Sequence, residues 1–254
     1  MFDLSGKVAV ITGSSRGIGR AIAEMYAKAG AKIVVSSRKA AACDEVVAAI
    51  KAAGGDAITI PCNIGSKDDC ARLISEATAH YGKIDILVCN AAVNPYFGPM
   101  EGITDEAYDK IMNSNVRSNL WMCQQVIPQM KARKDGAIII VSSIGGLRGS
   151  DKLGVYCISK AADMQLVRNL AVELGPHNIR ANAIAPGLIR TDFARALWEN
   201  PKIYEASTRN CPLRRIGEPN EIAGAALYLA SNEGRFCTGH TMVIDGGVTI
   251  GDAG

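Results

Sequence analysis

Two kinds of stretch alternate along the chain. Short aliphatic, often β-branched runs occur at Lys7-Val8-Ala9-Val10-Ile11-Thr12, Lys32-Ile33-Val34-Val35-Ser36, 57–61, Ile84-Asp85-Ile86-Leu87-Val88, Ala137-Ile138-Ile139-Ile140-Val141, 178–184 and 241–245. Runs of this length and composition, each followed by turn-forming residues, read as buried strands. Between the first two, Ile18, Ala21, Ile22, Met25 and Ala29 fall on one helical stripe that stops at Gly30. Helical stretches are also predicted at 39–53, 66–81, Thr104 to about Lys131, Val155 to about Leu174, and 218–231. Repeated β-α units specify a Rossmann-type α/β fold: one doubly wound parallel sheet, with helices on both faces, spanning 1–254 as a single domain. Right-handed crossovers then bring the loop after every strand to one edge.

Residues 192–215 break the rhythm. They carry Phe193, Leu197, Trp198, Pro201, Tyr204 and Pro212, and an apolar insertion at about 190–215, after a strand's active end, predicts a mobile substrate lid. Arginines 195, 209, 214 and 215 in it read as solvated helix faces.

Composition excludes several partners. A net charge of +3, with 21% charged residues, gives no electrostatic case for nucleic acid or an anionic membrane. No stretch reaches the ~18 apolar residues of a membrane helix, and the N-terminus enters a strand with no secretory pattern. The eight cysteines are scattered without C-x-x-C or a histidine cluster. They predict buried free thiols in a reducing cytoplasm and no metal.

Chemistry gathers in the predicted loops. Thr12-Gly13-Ser14-Ser15-Arg16-Gly17-Ile18-Gly19 joins a strand to a helix N-terminus, where free backbone N–H groups and the helix dipole suit a phosphate. Dinucleotide folds read the adenosine ribose about ~20 residues further on, with a carboxylate for a free 2′-OH or a basic group for a 2′-phosphate. This chain has Ser37 and Arg38 there, with Arg16 able to close from the loop, which predicts NADP over NAD. After the third and fourth strands, Asn63-Ile64 suits the adenine and Asn90-Ala91-Ala92 the adjoining ribose; Asn63 serves equally well as a turn cap. Asn115 sits mid-helix, where its amide competes with the backbone, and this marks a site role or a kink. Ala185-Pro186-Gly187-Leu188-Ile189-Arg190-Thr191 makes a turn beside the nicotinamide, and Thr191 is placed for its amide or the pyrophosphate.

Tyr156 and Lys160 are four residues apart on one helix and so share a face. A free phenol titrates near ~10, and a neighbouring cation favours the phenolate. Ser143, at the end of the preceding strand, faces the same space. A substrate C–OH or C=O held there would exchange a proton with Tyr156.

Thr12-Gly13-x-x-x-Gly17-Ile18-Gly19, Asn90-Ala91-Ala92, Asn115, Ser143, Tyr156-x-x-x-Lys160 and Pro186-Gly187 together resemble the short-chain dehydrogenase/reductase family, over nearly the whole chain. Asn90-Ala91-Ala92-Val93-Asn94-Pro95 looks like its NADPH-dependent carbonyl reductase branch, which includes peroxisomal retinal and dicarbonyl reductases. The resemblance implies Tyr156 as acid/base and Lys160 as the cation that favours its phenolate and holds the nicotinamide ribose. Ser143 would orient the carbonyl, and Asn115 would hold a water linking Lys160 to solvent. It further implies a small-molecule carbonyl or alcohol substrate and a homotetramer built as a dimer of dimers. Cys89 and Asn63 depart from the family's usual Asn and Asp, and Gly251-Asp252-Ala253-Gly254 is no peroxisomal Ser-Lys-Leu signal. The rival activities are reduction of a 3-oxoacyl thioester on a carrier protein, and NADP sensing without turnover.

Overall fold

The computed structural model describes residues 2–251. Its sheet has seven parallel strands in the order β3-β2-β1-β4-β5-β6-β7. These are β1 Val8–Thr12, β2 Lys32–Ser36, β3 Asp56–Thr59, β4 Ile86–Cys89, β5 Gly136–Val141, β6 Ile179–Pro186 and β7 Thr241–Ile244. The helices are α1 Gly17–Lys28, α2 Ala40–Ala52, α3 Lys67–Tyr81, α4 Asp105–Met112, α5 Ser118–Arg133, α6 Gly154–Leu174, α7 Arg195–Trp198, α8 Pro201–Arg209 and α9 Pro219–Ala230. The predicted Rossmann-type fold is the fold found, with element ends shifted by a residue or two.

Strand alternation builds the two layers. Val10, Val34, Leu87, Ile138 and Ala183 face one cluster, which α3, α5 and α6 complete through Leu73, Val126 and Val167. Their neighbours Ala9, Ile11, Ile33, Val35, Val88 and Ile139 face the other, closed by α1, α2 and α9. The central strands β1, β4 and β5 are therefore buried along their whole length, while β3 and β7 at the sheet's edges are only partly covered. The strand order reverses between β1 and β4, and in an open parallel sheet the ligand crevice lies outside the C-terminal ends of the strands at such a point.

Two departures bear on the site. The helix expected from Thr104 to about Lys131 is interrupted by a π-helical segment over Asn113–Arg117, so Asn115 marks a wide turn inside it. The irregular stretch after β6 contains α7 and α8, with an Asn200 side chain capping the second.

Candidate active site

The glycine loop leaves β1 at Gly13 and enters α1 at Gly17, whose φ of 57° is a left-handed value that favours glycine. A Cβ on Gly19 would lie 2.4 Å from the Gly13 carbonyl oxygen, so the first turn of α1 packs directly on the loop. Ser14 Oγ donates to the Ile11 carbonyl at 2.7 Å and accepts from Ser36 N–H at 2.9 Å, which ties the loop to β2. Asn90 Nδ2 donates to the Thr12 and Gly13 carbonyls at 2.9 and 3.2 Å, bracing the loop from β4. Helix α1 has neither a side-chain cap nor an acidic residue in its first turn, so its leading N–H groups stay available to an anion. Beside them runs an open groove of about 460 Å³, bordered by Gly17, Arg20, Thr191, Asp192 and Glu218. These features fit the pyrophosphate of a dinucleotide.

The other predicted cofactor residues rim the same edge. Ser15 in the loop and Ile18 in the first turn of α1 are half-buried, and Ile64, Ala91 and Ala92 follow the ends of β3 and β4. Arg38 is exposed just past β2; Ser37 Oγ lies 3.2 Å from Cys43 Sγ. Arg16 pairs with Asp192 at 3.5 Å, which joins the glycine loop to the segment after β6. Asn63 Oδ1 accepts from Gly65 N–H at 3.2 Å, the turn-capping arrangement, on an exposed residue. Pro186 ends β6; Gly187 N–H donates to the Ile244 carbonyl at 2.9 Å, and Ile189 is buried. Thr191 lies over the loop: a Cβ on Gly17 would come within 3.2 Å of its methyl group.

At the end of β5 the third group assembles. Ser143 Oγ accepts from Gly145 N–H at 3.0 Å. A Cβ on Gly145 would lie 3.4 Å from that Oγ and 3.9 Å from Tyr156 Cε1, so serine and phenol border one small space. Lys160 Nζ sits 5.7 Å from the Tyr156 ring centroid and donates to the Val141 carbonyl at 2.9 Å. Ser142 Oγ fixes the same turn of α6 by donating to the Lys160 carbonyl at 2.7 Å.

Asn115 is buried, and its amide is fully engaged. Oδ1 accepts from Val93 N–H at 2.8 Å; Nδ2 donates to the Val93 carbonyl at 3.0 Å and to Ser159 Oγ at 3.1 Å. Its own carbonyl, inside the π turn, accepts from Asn119 Nδ2 at 2.6 Å. Asn119 also donates to Asp163 Oδ1 at 2.9 Å, and Lys160 Nζ reaches Asp163 Oδ2 at 3.3 Å. Side chains thus connect the Asn115 carbonyl to the Lys160 ammonium. Burial lifts the Asp163 carboxyl above the usual carboxylate range, while Lys160 and Asn119 draw it back. Sequence reading missed Ser142, Ser159, Asn119 and Asp163. For the three on helices the signal was faint but present: Asn119 lies four past Asn115, Ser159 three past Tyr156 and Asp163 three past Lys160.

A narrow cleft, too tight to admit a water, lies beside Tyr156, lined by Asn94, Tyr96, Met100, Leu153 and Val155 among others. Phe97 and Leu147 are about half exposed, at 53% and 48%. The Phe193 ring lies 6.4 Å from the Tyr156 ring, centroid to centroid. All eight cysteines are free thiols, and no group of metal-ligating side chains occurs among the described residues. No helix of the described residues is long and apolar enough to cross a membrane.

Comparison with known proteins gives this geometry a lineage. A family model described as Enoyl-(Acyl carrier protein) reductase matches residues 13–249. Dehydrogenase/reductase SDR family member 4 of Oryctolagus cuniculus is 43% identical over 244 residues, covering 96% of this chain and 94% of that protein. Among solved structures, a 7 alpha-hydroxysteroid dehydrogenase complexed with NADH and 7-oxo glycochenodeoxycholic acid superposes with a TM-score of 0.94 at 37% identity, covering 97% and 95% of the two chains. A gluconate 5-dehydrogenase from Burkholderia cenocepacia, in complex with NADP and tartrate, gives 0.93 at 31% identity, covering 98% and 97%. The chain belongs to the short-chain dehydrogenase/reductase family and is an oxidoreductase that uses a nicotinamide cofactor.

Proposed function

We propose that the enzyme interconverts a small carbonyl compound and its alcohol using NADP(H), with Tyr156 as the acid/base. One observation carries the reading: Ser143 Oγ and the Tyr156 ring border a single space, with a buried ammonium one helical turn behind the phenol. The cofactor, when bound, supplies or accepts the hydride. The protein's own part is placement and proton handling. Ser143 Oγ is positioned to hydrogen-bond the substrate oxygen and Tyr156 Oη to give it a proton during reduction, or take one during oxidation. Lys160 holds its ammonium beside that phenol, 5.7 Å from the ring centroid. Asn115 keeps the loop at Val93 and helix α6 in register, so that the cleft and the phenol stay together.

The preference for NADP rests on Ser37 and Arg38 after β2, where no carboxylate stands, and on Arg16 across the groove. The stretch from Asp192 to Arg215 acts as a substrate lid: Phe193 already reaches the Tyr156 ring, and the Arg16–Asp192 pair tethers it to the glycine loop. An acyl-thioester substrate is the second reading, favoured by the matched family description and by the exposed basic residue Lys152 in the wall of the cleft. By resemblance the enzyme is a homotetramer.

The test is a panel of ketones, aldehydes, secondary alcohols and 3-oxoacyl thioesters, run with NADPH and NADH on wild type and Tyr156→Phe. The variant is expected to lose about 10²–10⁴-fold in kcat while still binding cofactor. Undiminished turnover by Tyr156→Phe contradicts the assignment, and equal kcat/KM with the two cofactors contradicts the NADP preference.

A further inference from the structure

Lys160 is 2% exposed and Asp163 fully buried, and they face each other inside the protein, behind the phenol. Neither charge meets water, so each depends on the other and on a few fixed partners. Lys160 has the Val141 carbonyl; Asp163 has Asn119, itself held by the Asn115 carbonyl. A carboxylate is a costly choice for a fully buried position on α6, a helix whose Met164 and Val167 enter the hydrophobic core. A second apolar residue would pack there without desolvation, and the ammonium would then sit against a single carbonyl. Burial without a counter-charge drives an ammonium toward its neutral form.

We propose that Asp163 is a positioning residue for the reaction: through its contact with Nζ it keeps Lys160 both charged and aimed, so that the phenolate of Tyr156 stays favoured at alkaline pH. Asn119 orients the carboxylate, and the Asn115 carbonyl, inside the π turn at Asn113–Arg117, orients Asn119. This inference rests on the reading of Tyr156 as acid/base. The other titratable groups near the pair are Tyr156 on α6, Cys89 at the end of β4 and Cys123 on α5. Its hydrogen bond with Cys123, together with burial, holds the Cys89 thiol well above the usual thiol range.

Asp163→Asn keeps the shape and removes the charge. The pH profile of kcat for alcohol oxidation, measured from about pH 6 to 10 on wild type and variant, is the test. The variant is expected to fall away on the alkaline side, by about tenfold or more relative to wild type, the scale of one lost charge neighbour. At the acid end its loss is smaller. A change in thermal stability with a profile superimposable on wild type overturns the proposal, because a merely structural role would give that result. Where Asp163→Asn does not fold, Asn119→Ala is measured instead; it leaves both charges but releases the carboxylate, and the same alkaline loss, smaller in size, is expected. A superimposable profile for that variant likewise overturns the proposal. Tyr156→Phe is run alongside. If turnover does not depend on Tyr156, the acid/base reading fails; if it does while the profiles coincide, the inference about Asp163 fails alone.

Discussion

The molecule buries a carboxylate at each end of its sheet, and the two do different work. Asp85, just before β4, is 2% exposed and accepts from Val8 N–H at 2.8 Å. Its cations, Lys83 at 3.0 Å and Arg133 at 3.8 Å, are about a third exposed. Asp85 therefore fastens β1 to β4 with help from partners that keep their own hydration. At the opposite edge, Asp163 pairs with an ammonium as buried as itself, and that ammonium looks toward the phenol. Removing the first partner should loosen a sheet; removing the second should alter a proton equilibrium. Burial alone does not distinguish a structural charge from a chemical one. The hydration of the partner does.

The sharpest test of this contrast replaces the whole interior pair. Lys160→Met with Asp163→Leu should abolish Tyr156-assisted turnover, a loss of about 10²–10⁴-fold, while leaving a protein as stable as wild type or more so by up to about 4 kcal/mol. Calorimetry and kcat on the same preparation decide it; a strongly destabilised double variant would show that the pair supports the fold as Asp85 does. Asp85→Asn should do the reverse. We expect a loss of about 1–3 kcal/mol, the cost of weakened buried hydrogen bonding, read by urea unfolding, with kcat and its pH profile unchanged. A shifted profile would erase the distinction between the two ends.

A third carboxylate sets the lower bound. Glu221 on α9 forms a capping box with Glu218 and pairs with Arg215 at 2.6 Å, and these contacts hold it down to about 2. A carboxyl lowered on folding contributes stability above its unfolded value of 4.5 and loses it as pH falls toward about 2. Because its side chain is 40% exposed, solvent screening limits the effect to about 1 kcal/mol or less. Glu221→Gln should therefore lower Tm by about 2 °C at neutral pH. The gap should close as both proteins are taken toward the bottom of that window; a constant gap would place the effect in the cap geometry rather than the charge.

Much of this was legible along the chain. The aliphatic runs became the seven strands because a parallel sheet covered on both faces leaves no polar side to interrupt them. Gly13, Gly17 and Gly19 announced the loop because no side chain fits where α1 meets it. Tyr156 and Lys160 announced each other through their spacing on α6. Asn115 stood out as an awkward helix residue, and the π turn is the reason.

Other features had at most a faint local signature. Asn90 reads as a cofactor contact from its place after β4, yet its Nδ2 turns back to two carbonyls of the neighbouring strand's loop. Asp163, in sequence, is one acidic residue on a long helix, like any solvated position. Its partner Asn119 is 44 residues away, and only the packing of α5 against α6 brings them within 2.9 Å. Periodicity and residue type determined the strands, the helices, the glycine loop and the phenol–ammonium pair, because those depend on neighbours within a few residues. Which polar groups would be sealed from water, and therefore which charges must answer to one another, was decided only when the layers closed.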